Sequence, residues 1–221
     1  MKNVLLMIFQ PLSLLFAFKF FRPMQLHSLS LVLSIVFLSS TFAFTQNQEA
    51  AIELSKTNGN HKLLGTLTGT WTFIGKANPP EPNQKPFEFN GTITRKAIMD
   101  GRFFVLETTG GQLPMSWSDG KMVTFREMQI EGYDNVKKKF VTSSINNVAE
   151  TGILITEGSY DAVTQTFTHE GEFKTNTGIM LHLRYVVKIM DNDHYVTEAY
   201  ETIDGRERKT TEIKYARTKG K

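Results

Sequence analysis

The sequence predicts an all-β fold, a roughly ten-stranded antiparallel up-and-down barrel with a short N-terminal helix. Three observations support this prediction. Apolar and polar residues alternate along most of the chain beyond residue 65. Turn-forming pairs such as Asp100-Gly101, Asp134-Asn135 and Asp204-Gly205 recur every 12 to 19 residues, a spacing that fits one strand and its turn. No long amphipathic helical pattern interrupts the series.

Ten strands are predicted between these turns, and tight turns make consecutive strands antiparallel neighbours. They are expected at residues 70–77, 86–98, 102–109, 121–133, 139–146, 153–160, 166–174, 179–190, 194–203 and 207–217. Only the sheet itself can cover its packed face, so closure into a barrel is favoured, and closure also removes the sheet edges. Ten strands exceed the number whose side chains just fill a barrel, so we expect a cavity. An open sandwich is the alternative, but it would need longer crossover connections.

The N-terminal region reads as an export signal. Residues 1–43 contain two apolar runs, three basic residues and no acidic residue. The second run, 29–42, has the length of a signal-peptide core, and Thr41 and Ala43 form the small-x-small pattern that precedes a cleavage site. We therefore expect residues 1–43 to be a leader cleaved after Ala43, residues 44–64 to form an extension with a short helix, and residues 65–221 to form the barrel.

Two readings of the leader stay open. Translation can begin at Met1, giving a long signal, or at Met24, giving a signal with one apolar run. An uncleaved leader would act as a membrane anchor, and this is the only membrane contact that the sequence predicts. Either cleaved form places the protein in the periplasm or outside the cell.

Composition excludes several classes of protein. The chain has 25 Lys and Arg against 22 Asp and Glu, and three of the basic residues lie in the leader, so the remaining chain is balanced. A nucleic-acid partner is not expected, because no basic stripe with interleaved aromatic residues occurs. The absence of cysteine excludes disulfides and thiolate sites. No phosphate loop, dinucleotide fingerprint or metal-binding histidine pattern is present, so neither a cofactor nor a metal is predicted. The sequence does not determine the oligomeric state.

Motifs at both ends of the predicted sheet resemble those of known barrels. Gly69-Thr70-Trp71 opens the first strand and Arg217 closes the last, which resembles the G-x-W signature and final arginine of lipocalin-like (calycin) barrels. The resemblance implies that Arg217 lies across Trp71 and seals one end of the barrel. Further motifs are similar to those of the bacterial domain-of-unknown-function family 1579: His61-Lys62-Leu63-Leu64, Asp100-Gly101-Arg102-Phe103, Gly132-Tyr133-Asp134-Asn135, Glu157-Gly158-x-Tyr160-Asp161, Asp191-Asn192-Asp193-His194 and Thr211-Glu212-Ile213-x-Tyr215-x-Arg217. That family implies a calycin-type barrel and no established activity.

A polar cluster is predicted on two adjacent strands. If the connecting turn centres on Asn192, Arg184 pairs with Tyr200, and Glu198 lies on the diagonal. We expect Arg184 and Glu198 to face the interior as an ion pair, serving either as a handle for a polar ligand group or only as a structural pair. The facing of residues 179–190 stays open, because apolar residues occupy both faces of this strand.

Three functions are compatible with these features. The first is binding of a small hydrophobic or amphipathic ligand by Arg184, Glu198, Tyr200, His169 and Phe73. The second is an enzyme that uses Glu198 with His169 or His194 for acid–base chemistry. The third is a protein–protein interaction module of the cell envelope. Whether the protein is an enzyme is left undecided by the sequence, and no catalytic residue is assigned.

Overall fold

The computed structural model describes residues 48–79, 85–114, 119, 121–147, 152–175 and 178–219. The predicted leader, residues 1–43, lies outside these residues, as do residues 80–84 between the first two predicted strands. Within the described part of the chain, no helix has the length and apolar composition needed to cross a bilayer. Residues 48–54 form a short helix, α1, and a second helix, α2, spans Gly59–Thr66.

Ten antiparallel strands follow the helices and close into a barrel, which confirms the predicted fold. They are β1 (Gly69–Ala77), β2 (Phe87–Ile98), β3 (Phe103–Pro114), β4 (Met122–Asp134), β5 (Lys139–Asn146), β6 (Leu154–Asp161), β7 (Thr166–Lys174), β8 (Met180–Ile189), β9 (His194–Ile203) and β10 (Arg206–Arg217). Each strand pairs with its neighbours in sequence, and β1 also pairs with β10. The closed order leaves neither terminal strand with a free edge.

Strand β3 is longer than predicted because a glycine pair continues it. The predicted strand ended at residue 109, but Gly110 and Gly111 also lie inside β3, at a bulge opposite β4. Gly110 has a φ of +154° and its Cα packs against Gly91 of β2. A side chain at Gly91 would lie 2.5 Å from the carbonyl oxygen of Thr109 and 2.6 Å from the ring of Phe73. Glycine therefore allows these two strands to approach and lets an aromatic ring lie over them.

One end of the barrel is filled by apolar side chains from α2 and the first strands. Asn58 caps α2 by accepting a hydrogen bond from the backbone N–H of Asn60 at 2.9 Å. Leu64 and Leu67 are buried against Trp71, whose indole N–H donates to the carbonyl of Leu67 at 3.0 Å. The rings of Phe104, Phe140, Phe167 and Tyr195 complete this core. The barrel is therefore closed at the α2 end, and any interior space lies on the side of this core that faces away from α2.

Candidate ligand-binding cavity

Strand β4 shows how the barrel interior is organised along its axis. Its inward residues, starting from the open end, are Phe125, Glu127, Gln129, Glu131 and Tyr133. Tyr133 joins the core, and the remaining residues line two connected spaces. We call the space beside Gln129 and Glu131 the inner chamber and the space beside Phe125 the outer chamber. Glu127 lines both, so it marks the neck between them.

The inner chamber, a cavity of about 190 Å³, contains a buried ion pair. Arg95 of β2 contacts Glu131 of β4, and the two residues are 7% and 9% exposed. The guanidinium carbon of Arg95 also lies 6.0 Å from the centre of the Phe104 ring, which belongs to the core below. Burial lowers the pKa of Arg95 to about 10, so the side chain remains charged at neutral pH. Its Nε atom has no hydrogen-bond partner within the described residues.

His169 of β7 lies in the same chamber. Gly158 of β6 is its cross-strand partner, and a side chain at position 158 would lie 2.9 Å from the imidazole ring. Among the residues described, none hydrogen-bonds to the Nδ1 atom of His169, although this atom is buried. Burial, together with the nearby charge of Arg95, lowers the pKa of His169 to about 4. The imidazole is therefore neutral near pH 7, and the chamber offers a ligand one cationic donor and one neutral ring nitrogen.

The depressed pKa of His169 predicts a pH-dependent stability. The unfolded chain takes up a proton near pH 6.5 and the folded chain only near pH 4, so folding is penalised as the pH falls through this window. As the pH falls through this window, we expect the free energy of unfolding of His169→Gln to decrease by about 2–3 kcal/mol less than that of the wild type. Urea denaturation at pH 7 and pH 4.5 measures this difference. His182→Gln, on the outer wall, is the control, and an equal pH dependence in wild type and His169→Gln would contradict the prediction.

The outer chamber is larger and more aromatic than the inner one. It has a volume of about 440 Å³ and lies toward the open end of the barrel. The aromatic side chains that line it are Phe73, Phe89, Phe125, Phe173, Tyr185 and Tyr215. Phe73 is 4% exposed and packs against Phe89 and Tyr215, with ring centres 6.1 and 5.5 Å away. The predicted inward position of Phe73 is confirmed, and its role in binding a ligand stays a prediction.

Three tyrosines connect the core to the neck. Tyr195 stacks on Tyr215 at 4.2 Å between ring centres, and its ring meets Trp71 edge-on at 4.8 Å. Tyr185 of β8 faces the neck together with Glu127. Burial raises the pKa of Tyr185 to about 12, and the charge of Glu127 adds to this shift. These phenol groups therefore stay protonated and can donate hydrogen bonds into the cavity.

The predicted seal at the closed end is present. The guanidinium carbon of Arg217 lies 4.0 Å from the centre of the Trp71 ring. Its nitrogens donate to the backbone carbonyls of Thr66 at 2.8 Å, Thr68 at 2.5 Å and Asn192 at 2.9 Å. Arg217 thus joins α2, the start of β1 and the β8–β9 turn, as a planar fork of donors can do.

The predicted inward pair of Arg184 and Glu198 is wrong. Strand β8 turns Leu181, Leu183 and Tyr185 toward the cavity, so Arg184 lies one residue out of that frame, on the outer wall. There it donates to both carboxylate oxygens of Glu207 at 2.7 Å. Placement on the outer wall spares both charges the cost of desolvation, whereas the expected burial would have imposed it.

Glu198 and Tyr200 also lie on the outer wall. Glu198 accepts hydrogen bonds from the Tyr200 hydroxyl at 2.8 Å and from Lys209 at 2.5 Å. The Tyr200 ring lies 4.0 Å from the guanidinium carbon of Arg184, so the predicted pairing of positions 184 and 200 is confirmed. Such exposed pairs contribute about 1 kcal/mol or less each. These three residues form a surface network and line neither chamber.

The residues expected to perform acid–base chemistry are not brought together. His169 faces the inner chamber, whereas Glu198 lies on the outer wall and His194 pairs with Asp191 at 3.0 Å in an exposed turn. Within the described ranges, no group of three or more His, Asp or Glu residues could hold a metal ion.

The charged residues of the interior were not predicted from the sequence, because β4 has apolar residues on its exposed face and polar residues on its inward face. Its outward residues Met128 and Ile130 are each 44% exposed, while Glu127, Gln129 and Glu131 point inward. A rule that places apolar residues inside assigns this strand to the wrong face. Cross-strand pairs carry the inward facing of Trp71 through Ile93 and Thr108 to Glu127. Counting back from the β3–β4 turn gives the opposite face, because the bulge between Gly110 and Gln112 shifts the register by one residue.

The chain was compared with known proteins. The fold is similar to the crystal structure of Rv2717c from M. tuberculosis, with a TM-score of 0.51 and 15% identity over 74% of this chain and 100% of that chain. It is also similar to the S-type phycobiliprotein lyase CPES from Guillardia theta, with a TM-score of 0.45 and 10% identity over 72% and 93% of the two chains. No curated protein matches the chain. Residues 56–217 match the family described as "Protein of unknown function (DUF1579)", and the chain belongs to that family.

Proposed function

We propose that this protein is exported and that its barrel binds a small amphipathic ligand in the two-chamber cavity. The observation that carries the proposal is the change in chemistry along the barrel axis. The outer chamber is lined mainly by aromatic and aliphatic side chains, and the inner chamber holds Arg95, Glu131 and His169. A ligand with an apolar body and a polar end would place the polar end inward, beside the Nε atom of Arg95 and the Nδ1 atom of His169, which have no hydrogen-bond partner among the described residues.

The size and the buried polar atoms support this binding mode. The outer chamber, at about 440 Å³, falls within the usual range of small-molecule sites. The Nε atom of Arg95 and the Nδ1 atom of His169 are buried in the same chamber, and leaving such atoms unpaired is costly. A ligand oxygen could accept a hydrogen bond from Arg95 without changing the total charge of the interior.

The test introduces a tryptophan into the outer chamber and compares its effect on ligand binding with that of a tryptophan on the outer wall. Ala199 of β9 lines the outer chamber, and Ala216 of β10 lies on the outer wall. N-phenyl-1-naphthylamine, a neutral apolar probe that fluoresces in dry surroundings, should bind the wild type. Ala199→Trp should weaken binding of the probe by about tenfold or more, because the new indole occupies the space of several ligand atoms.

Ala216→Trp should leave binding of the probe unchanged, because it adds the same indole outside the cavity. Circular dichroism and urea denaturation establish that both variants fold. An equal probe signal in wild type and Ala199→Trp would show that the probe binds elsewhere, and it would overturn the proposed site.

A further inference from the structure

Glu127 differs from the other carboxylates that face the cavity. Glu131 contacts Arg95 in the inner chamber, and Glu201 pairs with Arg208 at 3.1 Å near the mouth. Glu127, at the neck, has no cationic partner within the described residues that line the chambers. Its one side-chain hydrogen-bond partner here is the neutral amide of Gln129. Among the described residues that line the chambers, Glu127 is therefore the one carboxylate without a cationic partner.

Aromatic rings surround the space next to this carboxylate. Tyr185 and Tyr215 line the neck with Glu127, and Phe73 and Phe125 continue the lining into the outer chamber. The pKa values of both tyrosines are raised in part by the charge of Glu127, so the carboxylate lies close enough to act on them. Burial raises the pKa of Glu127, because a carboxylate among such rings is poorly solvated. A positive charge placed there favours the ionised carboxylate and is attracted both to it and to the ring faces.

We propose that the ligand of this cavity is a hydrophobic organic cation whose ammonium group lies at the neck beside Glu127. This inference rests on the proposed function and adds the chemical class of the ligand. A hydrophobic cation suits the site better than a metal ion, because aromatic rings line the space beside Glu127. Within the described residues, no group of three or more His, Asp or Glu side chains could hold a metal ion. The apolar part of the cation would lie among the phenylalanine side chains of the outer chamber, and a neutral oxygen-bearing group of the same ligand would reach Arg95 in the inner chamber.

The experiment uses two probes that have nearly the same shape. Phenyltrimethylammonium carries a positive charge, and tert-butylbenzene is its neutral carbon counterpart. Each is titrated against the full chain at pH 7 while it displaces N-phenyl-1-naphthylamine. We expect the cation to bind the wild type about tenfold more tightly than the neutral probe, since a desolvated cation beside a carboxylate and aromatic rings is worth more than 1.4 kcal/mol.

Two glutamine variants identify the source of that preference. Glu127→Gln keeps the side-chain shape and removes the charge, so the cation should lose about tenfold in affinity while the neutral probe is unaffected. Glu107→Gln is the matched control. Glu107 lies on β3 directly opposite Met128, on the outer face of the same wall, so it removes the same charge from outside the cavity. Its effect on either probe should be negligible.

The outcomes separate this inference from the proposed function. The inference is wrong if the wild type binds the two probes equally well, or if Glu127→Gln binds the cation as tightly as the wild type does. Neither result contradicts the proposal that the barrel binds a small ligand. Stronger binding of the neutral probe by Glu127→Gln also overturns the inference, because the cavity then favours neutral ligands. If N-phenyl-1-naphthylamine itself does not enter the cavity of the wild type, both proposals fail.

Discussion

Glu131→Leu should lower the free energy of unfolding by about 3–5 kcal/mol. The substitution leaves the guanidinium of Arg95 charged, buried and without its carboxylate partner. The ion pair itself need not be worth that much, since most of the loss comes from stranding the remaining charge. Urea denaturation followed by both tryptophan fluorescence and circular dichroism measures the change.

Two further variants show that a stranded charge is the cause. Replacing both partners, Arg95→Leu with Glu131→Leu, should recover most of the lost stability, because no buried charge then remains. Glu207→Leu removes the carboxylate that pairs with Arg184 on the outer wall, and it should cost much less stability than Glu131→Leu, because solvent screens this exposed pair. The explanation fails if Glu131→Leu is no more destabilising than Glu207→Leu, or if the double variant is less stable than the single one.

Arg217→Ala should cost about 2–4 kcal/mol, since it removes a cation–π contact with Trp71 and leaves three backbone carbonyls without their donor. Arg217→Lys should recover only part of this loss, because an ammonium cannot span the three carbonyls as a planar guanidinium does. Thermal and urea denaturation measure both variants.

The control for this prediction is Lys214→Ala, which removes an exposed cation from the same strand. We expect a change of about 0.5 kcal/mol or less for that variant. A melting temperature of Arg217→Ala within error of the Lys214→Ala value would show that the arginine does not stabilise the closed end.

Turn chemistry made the number of strands predictable. Pairs such as Asp100-Gly101 and Asp204-Gly205 place a left-handed residue at each reversal, and the structure has Asp100, Gly101, Asp204 and Gly205 at positive φ. The Trp71–Arg217 contact was predictable for another reason, because Gly69-x-Trp71 and Arg217 resemble the motifs of lipocalin-like barrels, and that resemblance implied the contact. The turn signals persist in the folded chain because they depend only on neighbouring residues.

The candidate site was less predictable because facing is a property of the whole barrel. On β8, Leu181, Leu183 and Tyr185 compete with Val186 for the inward frame, and nothing within the strand decides between them. On β4 the outward Met128 and Ile130 hide the inward Glu127. Side chains from all ten strands line the outer chamber, and no short stretch of sequence contains that information.

The pairing of β1 with β10 also sets the order in which the protein can fold. Every other pair of neighbouring strands is joined by a short connection and can pair locally as a hairpin. In contrast, Arg217 and its hydrogen-bond partner Thr68 are 149 residues apart in the chain. Bringing such distant segments together costs roughly 3 kcal/mol more in chain entropy than closing a tight turn. The last contact to form should therefore be the closure between the first and last strands, which makes folding slow for a chain of this size. Until that contact forms, an open ten-stranded ribbon exposes two unpaired edges through which copies of the chain can join one another.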